Sequence, residues 1–164
     1  MTMPSVYLET TVPSYLVARS SRDLIVAAHQ QITQEWWSTA QDRFHLYVSE
    51  AVLAEIRVGD AGYASHRMEI VADLDVLAFS SDVEALIRSY HHQLGLVGSA
   101  AADLPHLAYA VAYNMDYLVT WNCKHLANGQ VIRKLNAVNN AMGRPSPVIV
   151  TPEEILEFLP GDNS

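Results

Sequence analysis

Two spacings of apolar residues alternate along the chain. Five short runs, at 5–9, 44–48, 76–79, 117–120 and 148–150, are apolar and rich in β-branched or aromatic residues, which predicts strands. Between them apolar residues recur at helical intervals. The clearest case is 103–115, where Leu104, Leu107, Ala108, Val111, Ala112 and Met115 fall on one face. A second helix over 23–42 carries Ile25, Ala28, Ile32, Trp36 and Ala40 as a stripe. Ser49 reads as the N-cap of a helix over 50–58, stopped by Gly59. A helix is expected over 61–73, with Gly62 weakening its start, and Ser81 with Glu84 forms a capping-box pattern for another through Leu94, closed by Gly95. Asn128 opens a helix bearing Val131, Leu135, Val138 and Met142 and stopped by Gly143. Thr151, Pro152 and Glu154 open a last one to Leu159. Residues 10–14 read as a polar turn into a short helical segment, 19–22 as a basic, serine-rich break, 96–102 as a loop of small residues and 161–164 as a frayed tail.

Strands that alternate with helices predict an α/β fold with a parallel sheet of about five strands and helices on both faces. Neither an internal repeat nor an interdomain linker interrupts the pattern, so one domain over 1–160 is expected. The 164 residues, half of them hydrophobic, can bury a sizeable core. No apolar run approaches the ~20 residues of a membrane helix, and the amino terminus lacks a signal-peptide pattern. A single cysteine, Cys123, rules out an internal disulfide and suits a reducing cytoplasm. The net charge of −8 argues against a broad basic face for nucleic acid. A nuclease stays open, because a site built from carboxylates is negative until metal fills it.

Three carboxylates stand where a parallel sheet would gather them. Glu9 ends the first strand, Glu55 lies in the helix after the second, and Asp103 opens the helix before the fourth. The polar run Trp121-Asn122-Cys123-Lys124-His125 follows the fourth strand, at the edge where open α/β sheets bind ligands. Clustered carboxylates repel unless a cation or proton compensates them. Mg²⁺ takes oxygen ligands, and paired ions can activate water and steady a leaving oxygen in phosphodiester hydrolysis. Each acid also has a plainer role. Asp103 fits an N-cap as well as a ligand, and Glu55 fits a solvated helix position that helical phase does not separate from Glu50. Glu9, a charge ending a buried strand, is harder to explain without a function. Asn122 fits a turn residue, and Thr10 and Thr11 fit either a turn cap or a hold on a ligand.

The segments Tyr7-Leu8-Glu9-Thr10-Thr11-Val12-Pro13-Ser14 and Ser49-Glu50-Ala51-Val52-Leu53-Ala54-Glu55-Ile56, with 103–126, resemble the acidic motifs of PIN-domain ribonucleases. More narrowly they resemble the VapC-type toxins of toxin–antitoxin modules. The likeness runs through nearly the whole chain in order, and its most specific piece is Leu118-Val119-Thr120-Trp121-Asn122-Cys123-Lys124-His125-Leu126. It implies a three-layer α/β/α sandwich and Mg²⁺- or Mn²⁺-dependent cleavage of RNA. Carried over residue by residue, it implies Glu9, Glu55 and Asp103 as the metal-binding acids, Asn122 at the fourth catalytic position, and Thr10 or Thr11 as the hydroxyl beside the first acid. A cognate antitoxin with a basic segment and a homodimer follow from the same likeness. Two positions depart from the pattern: the first acid is Glu9 in place of Asp, and Asn122 and His125 occupy a loop that often carries a further Asp.

Other residues divide between site and scaffold. Thr10, Thr11, Lys124 and His125 are candidate substrate contacts, and a histidine packed on Trp121 is the plainer reading of His125. His106, one turn from Asp103, can reach the site. Trp36 and Trp37 point about 100° apart on a helix, so one is expected in the core while the other is open to a partner or a stacked base, the partner being favoured because Trp is enriched at interfaces. Arg19, Arg22, His91 and His92 read as surface, and no spacing sets an acid–base partner for Cys123. The rival reading is a degenerate PIN domain that binds RNA or protein without cleavage. A receiver-type phosphotransfer domain ranks lower, since no later strand ends in Asp.

Overall fold

The central strand of the sheet is β1 (Ser5–Leu8), and the computed structural model, which describes residues 2–157, builds the rest outward from it. Parallel to β1 on one side lie β2 (His45–Ser49) and then β3 (Asp75–Leu77); on the other lie β4 (Tyr117–Val119) and β5 (Val148–Val150). Val6, Tyr7 and Leu8 are all buried, as a strand with neighbours on both edges and helices over both faces requires. Eight helices flank the sheet among the described residues, giving the expected α/β/α arrangement: α1 (Thr11–Val17), α2 (Leu24–Arg43), α3 (Glu50–Ile56), α4 (Ala61–Val71), α5 (Ser81–Gln93), α6 (Leu104–Ala112), α7 (Gly129–Ala141) and α8 (Pro152–Leu156). Among the described residues no helix is long and apolar enough to cross a membrane.

The strand order β3-β2-β1-β4-β5 has one consequence for function. From β1 the chain steps outward to β2 and β3, then returns to pair β4 with the free edge of β1. The direction of winding reverses between β1 and β4, and the crevice beyond their carboxyl ends is where such sheets bind ligands.

Most helix starts follow the local chemistry of the chain. Asp23, Ser49, Asp60, Asn128 and Thr151 each accept backbone N–H groups as N-caps, and Thr151 with Glu154 completes a capping box. Four expectations need correction. The cap of α5 is Ser80, whose hydroxyl accepts the Val83 N–H, so Ser81 is already helical. The small-residue segment after α5 is a 3₁₀ helix over Gly98–Asp103. Because the chain enters α6 from that turn, Asp103 has helical dihedrals and makes no capping bond, which frees its carboxylate. On α2, Ile25 is 69% exposed, and the buried face is Gln30, Thr33, Trp36 and Ala40. That face is partly polar because its polar groups are satisfied. Gln30 bonds the backbone of Arg19 and Ser21, and Thr33 bonds the His29 carbonyl and the Trp121 indole. The end of the last helix at Leu159 and the tail over 161–164 lie outside the described residues.

Candidate active site at the carboxyl edge of the sheet

Glu9 is the first residue past β1, and its N–H donates to the Val119 carbonyl of β4, prolonging the ladder by one bond. Its side chain is only 3% exposed. One oxygen, Oε2, accepts from the Thr11 N–H at 3.2 Å and from the hydroxyls of Thr11 and Thr120 at 2.6 Å each. Thr120 directly follows β4, so the Glu9–Thr120 bond spans the crevice where the winding reverses. The same two hydroxyls accept the Trp121 and Asn122 N–H groups at 2.9 Å, which ties the loop after β4 to the Glu9 carboxylate. Among the described residues no hydrogen bond reaches Oε1 of Glu9.

Glu55 arrives from α3, whose inner side is fixed by the fully buried Val52 and Ile56. Its Oε2 accepts from the Thr10 hydroxyl at 2.5 Å and its Oε1 lies 2.8 Å from His106 Nε2. Glu50, which helical phase could not tell from Glu55, turns away to accept the Phe79 N–H. His106 is fully buried on α6, and its Nδ1 lies 2.7 Å from the Tyr7 hydroxyl, itself 2.7 Å from Ser49 Oγ. Burial alone would push the Glu55 carboxyl up, but the His106 hydrogen bond and charge, with the Thr10 hydroxyl, hold it below its ordinary value. Burial pulls the His106 imidazole down, but the Glu55 hydrogen bond and the charges of Glu9, Glu55 and Asp103 outweigh it and leave its pKa raised. Burial also holds the Tyr7 phenol far above its usual range, so it is a neutral hydroxyl.

Asp103 lies at the start of α6 with its Oδ2 3.0 Å from both Asn122 Nδ2 and His125 Nδ1. Asn122 Oδ1 in turn accepts the His125 N–H at 2.9 Å, so the three side chains brace one another. The plain reading of His125 is therefore corrected: Trp121 stacks on His29, with centroids 4.0 Å apart, and His125 turns to Asp103. Lys124 is exposed and makes no ion pair among the described residues, as are Arg19 and Arg22. His91 and His92 are exposed, Trp36 is buried and Trp37 is half-buried against the core.

The donor chemistry suits a hard divalent cation. Glu9, Glu55 and His106 place one ligand-type atom each within 4.8 Å of one another, and Glu9 keeps one oxygen outside its hydrogen bonds. That group includes His106 where the sequence reading had Asp103, whose oxygen is held by Asn122 and His125 while its charge still acts on His106. Tyr7, Ser49 and Thr120 went unremarked as site residues. The one available sign was polar atoms on strands that otherwise read as buried.

No protein-family model matches the chain, and no curated protein sequence does. A solved structure does share its fold: a chain in the crystal structure of VapBC2 from Rickettsia felis bound to a DNA fragment from their promoter. The two superpose with a TM-score of 0.57 at 16% identity, over 89% of this chain and 97% of that one. At that identity the likeness speaks for the fold alone, a five-stranded parallel sheet flanked by helices.

Proposed function

We propose that the chain is a Mg²⁺- or Mn²⁺-dependent endoribonuclease, hydrolysing RNA phosphodiester bonds as the toxin of a toxin–antitoxin pair. The observation that carries this reading is the buried Glu9 carboxylate at the winding reversal. One of its oxygens is fixed by three donors, and Glu55 of α3 and His106 of α6 each bring a ligand-type atom within 4.8 Å of the carboxylate. Burying a carboxylate costs several kcal/mol unless charge compensates it, and a divalent cation does so. Glu9, Glu55 and Asp103 would hold the ion. When bound, it would supply Lewis acidity toward water and the scissile phosphate. Thr11 and Thr120 orient Glu9, Thr10 orients Glu55, and Asn122 with His125 orients Asp103. Lys124, exposed in the loop after β4, would meet a substrate phosphate.

The toxin assignment rests on the motif resemblance and on the shared fold with a chain of VapBC2. An acidic cleft on a chain of charge −8 suits a basic antitoxin segment, and the cytoplasm and a homodimer belong to the same reading. One observation favours the rival, a PIN-like module that binds without cleaving. Glu55 and Asp103 are each already hydrogen-bonded to a histidine. Mn²⁺ titration into wild type and Asp103→Asn, with RNA cleavage followed on the same samples, separates the two. Binding and cleavage lost together in the mutant support the nuclease. A folded wild type with neither leaves the binding module.

A further inference from the structure

His106 touches the candidate site, yet its surroundings are not those of a ligand. Glu55 as a carboxylate can only accept hydrogen bonds, so at 2.8 Å the proton lies on His106 Nε2 and the lone pair there is not available to a cation. The other ring nitrogen is engaged by the Tyr7 hydroxyl at 2.7 Å. Tyr7 is held at 2.7 Å by Ser49 Oγ, which also accepts the Val52 N–H as the cap of α3. Tyr7, Ser49 and His106 are each fully buried, so water does not compete for these bonds. The three come from β1, the end of β2 and α6, and all are anchored in the core. Glu55, by contrast, rides a seven-residue helix with its side chain 43% exposed, and left alone would sample several rotamers.

We propose that Tyr7 and His106 are positioning residues. His106 aims its Nε2–H at Glu55 Oε1, Tyr7 locks the ring through Nδ1, and the pair thereby sets the carboxylate for the cation without coordinating it. This rests on the nuclease reading of the site. It adds a ring of support behind one ligand, the kind of outer contact whose loss typically weakens metal affinity 10–100-fold. It also gives the chain around the end of β1 two tasks two residues apart: Tyr7 anchors the histidine, and Glu9, just past the strand, faces the ion, both of them buried.

The test is atom-specific. In His106→Gln the amide nitrogen falls near the place of Nε2 and can donate to Glu55, whereas in His106→Asn it reaches only the place of Nδ1. Mn²⁺ affinity is measured by calorimetry on the full chain for wild type, both variants and Tyr7→Phe, and bound Mn²⁺ in wild type and His106→Gln is examined by pulsed EPR. Positioning predicts a loss of up to about tenfold for Gln and for Tyr7→Phe, each of which keeps the donor to Glu55 but loses the Tyr7 bond at Nδ1, and about 10–100-fold weaker binding for Asn, which loses the donor itself. The EPR spectrum of wild type then shows no imidazole coupling that His106→Gln removes. Such coupling, if His106→Gln abolishes it so that His125 is not its source, would make His106 a ligand and overturn the proposal, as would equal affinity in all four proteins. Either result leaves the nuclease reading standing. A folded wild type that binds no Mn²⁺ removes both. Should His106→Asn fail to fold, Tyr7→Phe, which keeps the ring packing, carries the test.

Discussion

Histidine–carboxylate pairs stand at both ends of the sheet. At the amino end His45, the first residue of β2, meets Asp75, the first of β3, at 2.6 Å. At the carboxyl end His106 meets Glu55 at 2.8 Å. The shorter contact is the weaker interaction. His45 and Asp75 are 50% and 65% exposed, so water screens them and offers each an equal partner. His106 has no exposure at all, and behind it Tyr7 and Ser49 continue the chain of hydrogen bonds into the core. Distance alone ranks the pairs wrongly; what each group would face if its partner were lost ranks them correctly.

The largest expected effect belongs to the deepest charge at the carboxyl end. Glu9→Gln keeps the volume and can still accept from Thr11 and Thr120, but it removes the charge a cation would need. Mn²⁺ affinity and RNA cleavage should each fall by more than about 100-fold, beyond the usual cost of losing an outer contact. The fold should persist, because the three donors around Oε2 keep an acceptor. Calorimetry and cleavage by the same preparation check it, and undiminished Mn²⁺ binding would take Glu9 out of the ion site.

Next comes Tyr7→Phe, read as stability. The ring is fully buried and its packing survives, but His106 Nδ1 and Ser49 Oγ each lose a partner where no water replaces it. The expected loss is about 1–3 kcal/mol in urea unfolding of the metal-free protein. A loss below half that would mean the buried bonds are no better than exposed ones, and the contrast between the two ends of the sheet would fail.

These contrasts were only partly legible in the chain itself. Strands and helices follow from apolar periodicity and caps, which are local, and most fell within a residue or two of their places. Glu9, Glu55 and Asp103 could be singled out because their positions relative to strands follow from the element order. Their partners could not. Glu55 meets a histidine 51 positions away, and Glu9 meets a threonine 111 away. Pairings over such separations depend on sheet order, and that order is not written in periodicity. The buried face of α2 misled for a related reason. Thr33 and Gln30 are inside because distant groups satisfy them, so a polar pattern concealed a buried face. Asp103 resembled a cap because the 3₁₀ turn before it left no local mark.

Acidity gives a smaller but signed effect. In metal-free protein Glu55 is held below its ordinary value, so its contribution is complete above the usual carboxylate range and is lost as pH falls through the lowered value. His106 is held above its ordinary value, so its contribution is complete below the usual imidazole range and is lost as pH rises through the raised value. The pair therefore stabilises most between those two ranges. Urea midpoints across pH should show a plateau there that His106→Gln flattens on its alkaline side. An unchanged alkaline limb would assign that dependence to other groups.

The smallest effect is expected at the amino end, and it is the one that most directly tests the contrast. His45 also stacks on Tyr47, with centroids 4.4 Å apart, so His45→Ala alone mixes a lost ion pair with lost ring contact. A double-mutant cycle with Asp75→Asn isolates the pair. The coupling should be about 0–1 kcal/mol and should shrink as salt is raised, because both groups stand in solvent. A salt-insensitive coupling as large as the Tyr7→Phe loss would show that the 2.6 Å contact is worth what its length implies, and that burial is not what separates the two ends of this sheet.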